Sequence, residues 1–253
     1  MAAAVGSATM SSESHVLAAR ILAHLQDVQA ARNARSADAR QAARVTAIKA
    51  YQQARFARGH ADLLANARYA AAARFFLDDL YGPQDFAERD AQFVRIVPAL
   101  VRLFPQDIVA TVESLAALHA LSESLDDDMA RQLQDEQVDA MAYWHAWLAT
   151  GRARDREHQI DLVMDLGRRL DHYTRNRLLR HTLRLMRGPA RAAGLGSLQA
   201  FLERGFDTFG AMNGAGEFLA LIEQRERALM QALFDTPFVT GATSLPAALG
   251  QLP

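Results

Sequence analysis

The sequence contains no cysteine, which excludes disulfide bonds, thiolate nucleophiles and cysteine-ligated metal sites. Lys49 is the only lysine among the 28 basic residues, so arginine carries nearly all of the positive charge. The formal net charge is −1 and the isoelectric point is about 6.7. Composition therefore gives no overall attraction to nucleic acid or to an anionic membrane, and a local patch would have to bind any such partner.

Long apolar runs are missing as well. The N-terminal segment MAAAVGSATMSSES has neither the basic nor the apolar region of a signal peptide. No other stretch approaches the roughly 18 uninterrupted apolar residues that a membrane-spanning helix needs. We therefore expect a cytoplasmic protein with no membrane partner. The arginine-rich composition is typical of a bacterial protein encoded by a GC-rich genome.

Runs of β-branched residues are absent, and apolar residues recur at intervals of three and four along the chain. Alanine, leucine, arginine, glutamate and glutamine, all good helix formers, dominate between them. No fixed-period repeat is evident and the loops are short. These features predict an all-α protein without a sheet, folded as a compact bundle of about eight to ten helices.

The same patterns predict how the chain is divided. Residues 1–12 lack apolar periodicity and are expected to be disordered. Residues 13–235 are expected to form a single all-helical domain, in which 13–40 could be a peripheral helical arm. Residues 236–253 are rich in turn-forming residues and are expected to form an irregular C-terminal tail.

Three further helix assignments follow from start and stop signals. One helix is expected to run from about His60 to Gly82, where Pro83 prevents its continuation. Asp126, Asp127 and Asp128 are expected to precede another helix. A long helix is expected from about Asp155 to Gly188.

Two segments carry a resemblance to a known family. They are FFLDDLYGPQDFAERD at Phe75–Asp90 and LQAFLERGFDTFGAMNGAGEFLALIEQRE at Leu198–Glu226. With these segments the chain resembles an uncharacterised, mostly proteobacterial all-helical family of unknown function, over about residues 45–235. The resemblance implies a stand-alone helical protein and supplies no catalytic residues.

The first of these segments contains a group of charges that we call the charged elbow. Paired carboxylates can hold a divalent ion or act as acid and base. Alternatively, Asp85 and Glu88 cap a new helix, and Asp85 pairs with Arg89 one turn later. We favour this architectural interpretation, since no histidine lies nearby in the sequence. The charged elbow comprises Asp78, Asp79, Asp85, Glu88, Arg89 and Asp90.

A second polar group shares one helix face. His158, Asp161, Asp165 and His172 fall on one side of the predicted helix at 100° per residue. One helix can supply only two or three ligands to a metal ion, and a solvated polar face explains the pattern equally well. The paired Glu-x-x-His motifs of di-iron bundles are absent. We expect no metal and no cofactor.

Four arginines form what we call the arginine ridge. Arg177, Arg180, Arg184 and Arg187 recur at intervals of three and four, within an arc of about 80°. Guanidinium groups suit carboxylates and phosphates, so an acidic protein or an anionic ligand could bind there. Nucleic acid is disfavoured because no aromatic residues are interleaved for base stacking. The alternative is that Asp126–Asp128 neutralise the ridge within the protein.

The second segment contains a corner rich in phenylalanine and glycine, at residues 205–218. Its apolar side chains are Phe206, Phe209, Met212 and Phe218. Glycine permits close approach of a second backbone or a ligand, so this corner is the best pocket candidate in the sequence. The plainer interpretation is a helix that ends at Asn213 and a new helix that opens at Gly216.

These observations support two functional hypotheses. The first is a protein-interaction or regulatory module that uses helix faces, including the arginine ridge, with a homodimer as one form. The second is a helical-bundle enzyme or small-molecule binder with a pocket near residues 205–218. No coherent catalytic set or nucleophile elbow is present in the sequence, which favours binding over catalysis.

Overall fold

The computed structural model describes residues 2–80, 82–84, 86–237, 245–250 and 252–253. These residues form helices joined by short loops, and they contain no β-strand. The predicted all-α fold is confirmed. The α-helices are α1 (Ala2–Ser36), α2 (Ala39–Gly59), α3 (Ala61–Ala65), α4 (Ala70–Phe75), α5 (Ala87–Leu103), α6 (Gln106–Gln132), α7 (Ala140–Thr150), α8 (Ala153–Thr174), α9 (Arg177–Leu185), α10 (Arg187–Ala192), α11 (Gly196–Met212) and α12 (Gly216–Asp235).

Among the described residues, α3, α4 and α10 are short, with five or six residues each, whereas the other nine α-helices have at least nine. The number of longer helices therefore lies within the predicted range. A π-helical turn at Phe76–Leu80 extends α4, and a 3₁₀ turn forms at Ala247–Leu249.

Several helix ends lie where glycine and asparagine predict them. Helix α2 ends at Gly59. Helix α7 ends before Gly151, and α11 before Asn213, and both of these residues adopt left-handed backbone conformations with φ of 71° and 51°. Helix α12 then begins at Gly216, as the plainer interpretation of that corner expected. The ends at Gly151 and Asn213 follow from local sequence, because glycine and asparagine are the residues that most readily adopt a positive φ.

Side-chain hydrogen bonds break two of the predicted helices. The helix expected from His60 to Gly82 is divided between α3 and α4, because the Asn66 side chain accepts a hydrogen bond from the Arg68 backbone N–H (2.9 Å). The helix expected from Asp155 to Gly188 ends at Thr174. Asn176 then caps α9 by accepting hydrogen bonds from the backbone N–H groups of Leu178 and Leu179.

The prediction that Asp126, Asp127 and Asp128 precede a helix is wrong, because all three lie inside α6. Asp126 accepts a hydrogen bond from Gln52, and Asp127 pairs with Arg35. Partners on other helices therefore hold these carboxylates in the helix interior. The next helix, α7, is capped instead by Asp139, which accepts a hydrogen bond from the Ala142 backbone N–H.

Helix α6 is the centre of the bundle and packs against α1, α2, α5, α7 and α8. Its length and composition would suffice to cross a membrane, a property it shares with core helices of many water-soluble proteins. A larger apolar core lies on the α8 and α11 side and includes Phe76, Phe209 and Phe218. A smaller core lies around Trp144 and Leu233.

The two ends of the chain differ from the simplest expectation. The backbone is helical from Ala2, where composition predicts disorder. In the described part of the C-terminal segment, Leu249 and Leu252 are buried in the smaller core, with 0% and 3% of their surface exposed. The domain boundaries remain predictions.

Candidate ligand-binding cavity

Three helices line the principal apolar cavity, which is partly open to solvent and has a volume of about 170 Å³. Helix α6 contributes residues at intervals of three and four, and so do α8 and α11, because one stripe of each helix faces the cavity. Phe75 and Phe76 close it from the side of α4. The helix residues that line it are Ile108, Thr111, Val112, Leu115 and Leu118 of α6, Val163, Leu166, Gly167, Leu170 and Tyr173 of α8, and Phe201, Leu202, Gly205, Phe206 and Phe209 of α11.

Gly205 determines how closely α11 approaches the floor of the cavity. A Cβ atom at this position would lie 3.2 Å from Cζ of Phe75 and 3.7 Å from Cδ2 of Leu170. The ring of Phe75 also stacks on Phe201, with centroids 5.5 Å apart. Because Gly205 has no side chain, the ring of Phe75 can pack directly against the backbone of α11.

Polar groups are confined to one end of this cavity. The hydroxyl oxygens of Thr111 and Tyr173 lie 2.9 Å apart, and the Tyr173 hydroxyl also donates to the Asp107 carbonyl (3.2 Å). Arg169 reaches the same threonine hydroxyl at 3.4 Å. Each hydroxyl already has a hydrogen-bond partner within the protein. A ligand therefore does not need to form a hydrogen bond with the cavity wall. A molecule that fits here would be apolar, with at most one polar group at this end.

A second, smaller cavity of about 60 Å³ lies next to the first, and Leu115, Leu118, Val163 and Phe201 line both. Its other walls are partly polar. They include Arg89, Asp90, His119 and Ser122. The four shared apolar side chains therefore separate the larger cavity from an ionic cluster that lines the smaller one.

Asp90 is the centre of that ionic cluster. It pairs with Arg32 at 2.6 Å and with Nε2 of His119 at 2.8 Å. Burial alone would raise the pKa of Asp90, but the hydrogen bond to His119 and the charges of Arg32 and Arg89 outweigh burial and hold this pKa at about 2. The carboxylate is therefore ionised at neutral pH and fully engaged, which makes it a poor general base.

The charged elbow is divided between different structural roles. Asp79 pairs with Arg204, while Asp78 is exposed. Glu88 accepts hydrogen bonds from Gln92 (2.8 Å) and Ser197 (3.1 Å). Asp85 lies outside the described residues, so its capping role stays a prediction.

Arg89 is the elbow residue that reaches the smaller cavity together with Asp90. Its guanidinium lies 4.0 Å from the ring centroid of Phe86 and 4.7 Å from that of Phe201. It also donates a hydrogen bond to the Asp79 carbonyl (2.9 Å). Burial lowers the pKa of Arg89, and Asp90 opposes that effect. Arg89 therefore joins the elbow to α11 by its cation–π contact with Phe201, while its hydrogen bond to Asp79 lies within the elbow.

The arginine ridge is partly neutralised by α11 and not by Asp126–Asp128. Arg184 pairs with Asp207 at 3.2 Å, and Arg187 pairs with Glu203 at 2.7 Å. The Arg180 guanidinium occupies the space beside Gly210, where a Cβ atom would lie only 1.7 Å from Nη2.

Arg177, the fourth member of the ridge, is exposed. Arg184 thus joins α9 to α11 and Arg187 joins α10 to α11, and both are less available for an external ligand than the sequence suggested.

The proposed metal face is occupied by ion pairs. Asp161 pairs with Arg227 at 2.5 Å, and Asp165 pairs with Arg169 at 2.7 Å. His158 and His172 are exposed. Within the described ranges, no three His, Cys, Asp or Glu side chains are grouped so that they could hold a metal ion.

The phenylalanine- and glycine-rich corner contributes two of its four apolar candidates to the cavity. Phe206 and Phe209 line it, whereas Met212 and Phe218 are buried in the core behind them. Phe218 supports Phe209 by an edge-to-face contact, with centroids 6.4 Å apart.

The sequence did not identify the walls from α6 and α8, such as Val112 and Leu166. Their apolar periodicity was the available signal. This periodicity indicates that one side of the helix is buried. It does not show whether those side chains line a cavity or pack against other side chains.

Comparison with known proteins adds the following findings. A family model described as a domain of unknown function, DUF8198, matches residues 31–237, which is well over half of the chain. No curated protein and no solved structure matches the chain.

Proposed function

The chain belongs to the DUF8198 family of unknown function, and we propose on the basis of its geometry that it binds a small apolar molecule in the cavity between α6, α8 and α11. The observation that carries this proposal is a cavity of about 170 Å³ in which Thr111 and Tyr173 are the only polar side chains among the described residues that line it. Protein interiors are normally close-packed, so an apolar space of this size is unusual.

The size of the cavity limits the ligand. An engineered apolar cavity of about 150 Å³ stays dry and binds benzene. The present cavity is of that order, so one aromatic ring or a short branched or linear hydrocarbon group would fill it. Half-buried wall residues such as Leu202 and Phe206 are the side chains whose movement would admit such a molecule.

A cavity-filling substitution provides the test. Val112→Phe places a ring in the cavity, and benzene serves as the probe ligand. We expect benzene to raise the Tm of the wild-type chain, because a ligand that binds only the folded state stabilises it by mass action. Val112→Phe should abolish the increase. The control is Val101→Phe, which makes the same change at a half-buried position of the larger core that does not line the cavity.

The variants must remain folded for this comparison, and circular dichroism at the starting temperature verifies that. Perturbation of the Leu166 and Leu202 methyl signals by benzene in the NMR spectrum would locate the bound ring. No benzene-dependent Tm increase in the wild type would contradict the proposal. An equal increase in Val112→Phe would contradict it as well.

The hypothesis of an interaction or regulatory module stays a prediction. Its main feature, the arginine ridge, is weakened as an external surface by the pairing of Arg184 and Arg187 with α11. The apolar side of α9 supplies a different surface, made of exposed leucines.

A further inference from the structure

Helices α9 and α10 lie in an unusually basic part of the chain. From His172 to Leu202 the sequence contains no aspartate or glutamate. The same stretch contains six arginines. The net charge of the whole chain is −1, so this stretch is the kind of local patch that overall composition conceals.

Helix α9 also turns apolar side chains toward solvent. Leu178 is 74% exposed, Leu185 is 65% exposed and Met186, just after the helix, is 48% exposed. Leu178 and Leu185 are seven residues apart, so at 100° per residue they lie about 20° from each other and form one stripe. None of the residues of α9 is buried.

The arginine pairs fix this orientation. Arg184 of α9 pairs with Asp207 of α11, and Arg187, the first residue of α10, pairs with Glu203 of α11, so each of these two short helices is tied to α11. Leu179 and Leu183, on the other side of α9, are half-buried. A rotation of α9 that buried Leu178 and Leu185 would therefore break the ion pair between Arg184 and Asp207.

Two exposed arginines belong to the same two helices as the stripe and its neighbour Met186. Arg177 is exposed immediately before Leu178, and Arg191 is exposed on α10. Neither arginine forms an ion pair with another described residue. Apolar side chains and exposed cations without a salt bridge to the described residues are therefore combined on these helices, which is the arrangement of a helix that lies in the plane of an anionic bilayer.

We propose that α9 and α10 form a peripheral membrane-binding surface for anionic lipid. Leu178, Leu185 and Met186 enter the boundary between headgroups and acyl chains, while Arg177 and Arg191 contact lipid phosphates. A bilayer fits this surface better than a folded partner does. Three exposed side chains cover far less than the roughly 800 Å² per partner that stable protein interfaces bury. Lipid requires no complementary shape.

Vesicle flotation with the full chain tests this proposal. We use phosphatidylcholine vesicles with and without phosphatidylglycerol. We expect the wild type to float only with the anionic vesicles and to dissociate as salt is added. The double variant Leu178→Glu, Leu185→Glu should bind the anionic vesicles at least tenfold more weakly. The matched control is Leu103→Glu, which changes a leucine of similar exposure, 68%, at the end of α5 and should bind as the wild type does.

A gain-of-signal variant keeps the test independent of folding defects. Leu178→Trp places an exposed indole on the stripe, and its fluorescence should shift to shorter wavelength on anionic vesicles only. Absence of binding to anionic vesicles would overturn the proposal, as would equal binding by the double variant. A chain that is dimeric in solution through this stripe, or that binds an acidic peptide through it but not vesicles, would also overturn it.

Discussion

Two acidic residues one turn apart on α6 illustrate how burial and partners set ionisation. Burial alone would raise the pKa of Glu123, but Lys49 and Arg35 outweigh burial and hold it at about 2. For Asp126, burial is the dominant effect and raises the pKa, although Lys49 and Arg156 oppose it. Glu123 therefore stabilises the fold as a carboxylate at neutral pH, whereas ionised Asp126 costs stability.

Replacement of Glu123 by glutamine should lower the free energy of unfolding by about 3 kcal/mol at neutral pH, because Lys49 and Arg35 lose their shared partner in a buried site. The contribution of the carboxylate is present above its ordinary pKa of 4.5 and is lost as pH falls toward about 2. Urea unfolding curves should therefore show a wild-type advantage that shrinks across this range. If the difference in unfolding free energy between the wild type and Glu123→Gln did not change with pH, packing and not charge would be responsible for it.

Asp126→Asn should behave differently. The amide can still accept the hydrogen bond that Gln52 donates to Asp126 (3.0 Å), and it removes the cost of a buried charge. We expect unfolding free energy at neutral pH to be equal to or greater than that of the wild type. Because the folded-state pKa is raised, wild-type Asp126 takes up a proton more readily when folded, and the advantage of the variant should disappear as pH falls. A loss of more than about 1 kcal/mol at neutral pH would show that Lys49 and Arg156 keep Asp126 charged and favourable.

At the level of elements, α9 is the most peripheral of the longer helices, and its start depends on one side chain. Asn176→Ala removes the acceptor for the Leu178 and Leu179 backbone N–H groups and should cost α9 about 1 kcal/mol. Hydrogen exchange should become faster in α9 while the rest of the bundle stays protected.

The comparison is Asp38→Ala, which removes the cap of α2, where the side chain accepts from the Gln41 backbone N–H at 3.0 Å. Because α2 carries core residues such as Ile48 and Phe56, that loss should lower global stability. If the amides of α9 were equally protected from hydrogen exchange in Asn176→Ala and in the wild type, Asn176 would not be the residue that stabilises the start of α9.

The element boundaries show what local sequence signals can predict. Gly151 and Asn213 follow helix ends because each adopts the left-handed backbone conformation, which depends on the residue itself. The break at Asn66 also follows from a local hydrogen bond, but the same residue in another context continues a helix, so apolar periodicity alone predicted a single helix. The run Asp126–Asp128 predicts a helix start, but the partners of Asp126 and Asp127 on α2 and α1 lie far away in the sequence, and the run lies inside α6.

At the level of the whole molecule, the described C-terminal residues belong to the second core. The Tyr51 hydroxyl donates a hydrogen bond to the Pro253 carbonyl (3.3 Å), and Leu252 is 3% exposed. Leu252→Ala should therefore lower the free energy of unfolding by about 2–4 kcal/mol through lost burial and a residual cavity. The fluorescence of Trp144 and Trp147, which lie in the same core, reports the unfolding transition.

Leu178→Ala is the matched control, because the same truncation at a 74% exposed position should change stability by no more than about 0.5 kcal/mol. If Leu252→Ala were equally neutral, the C-terminal segment would not be part of the core in solution.

The sequence by itself determined the helical class, many helix ends and the importance of Phe206 and Phe209, because periodicity, capping and turn preference act over a few residues. Only the tertiary structure decided that Arg32 and His119 surround Asp90, since these groups are separated by 58 and 29 residues. It also decided that three apolar stripes leave a cavity and that Leu178 and Leu185 face solvent. Empty space and exposure depend on how several helices pack together, and a pattern within one helix shows only that it has an apolar side.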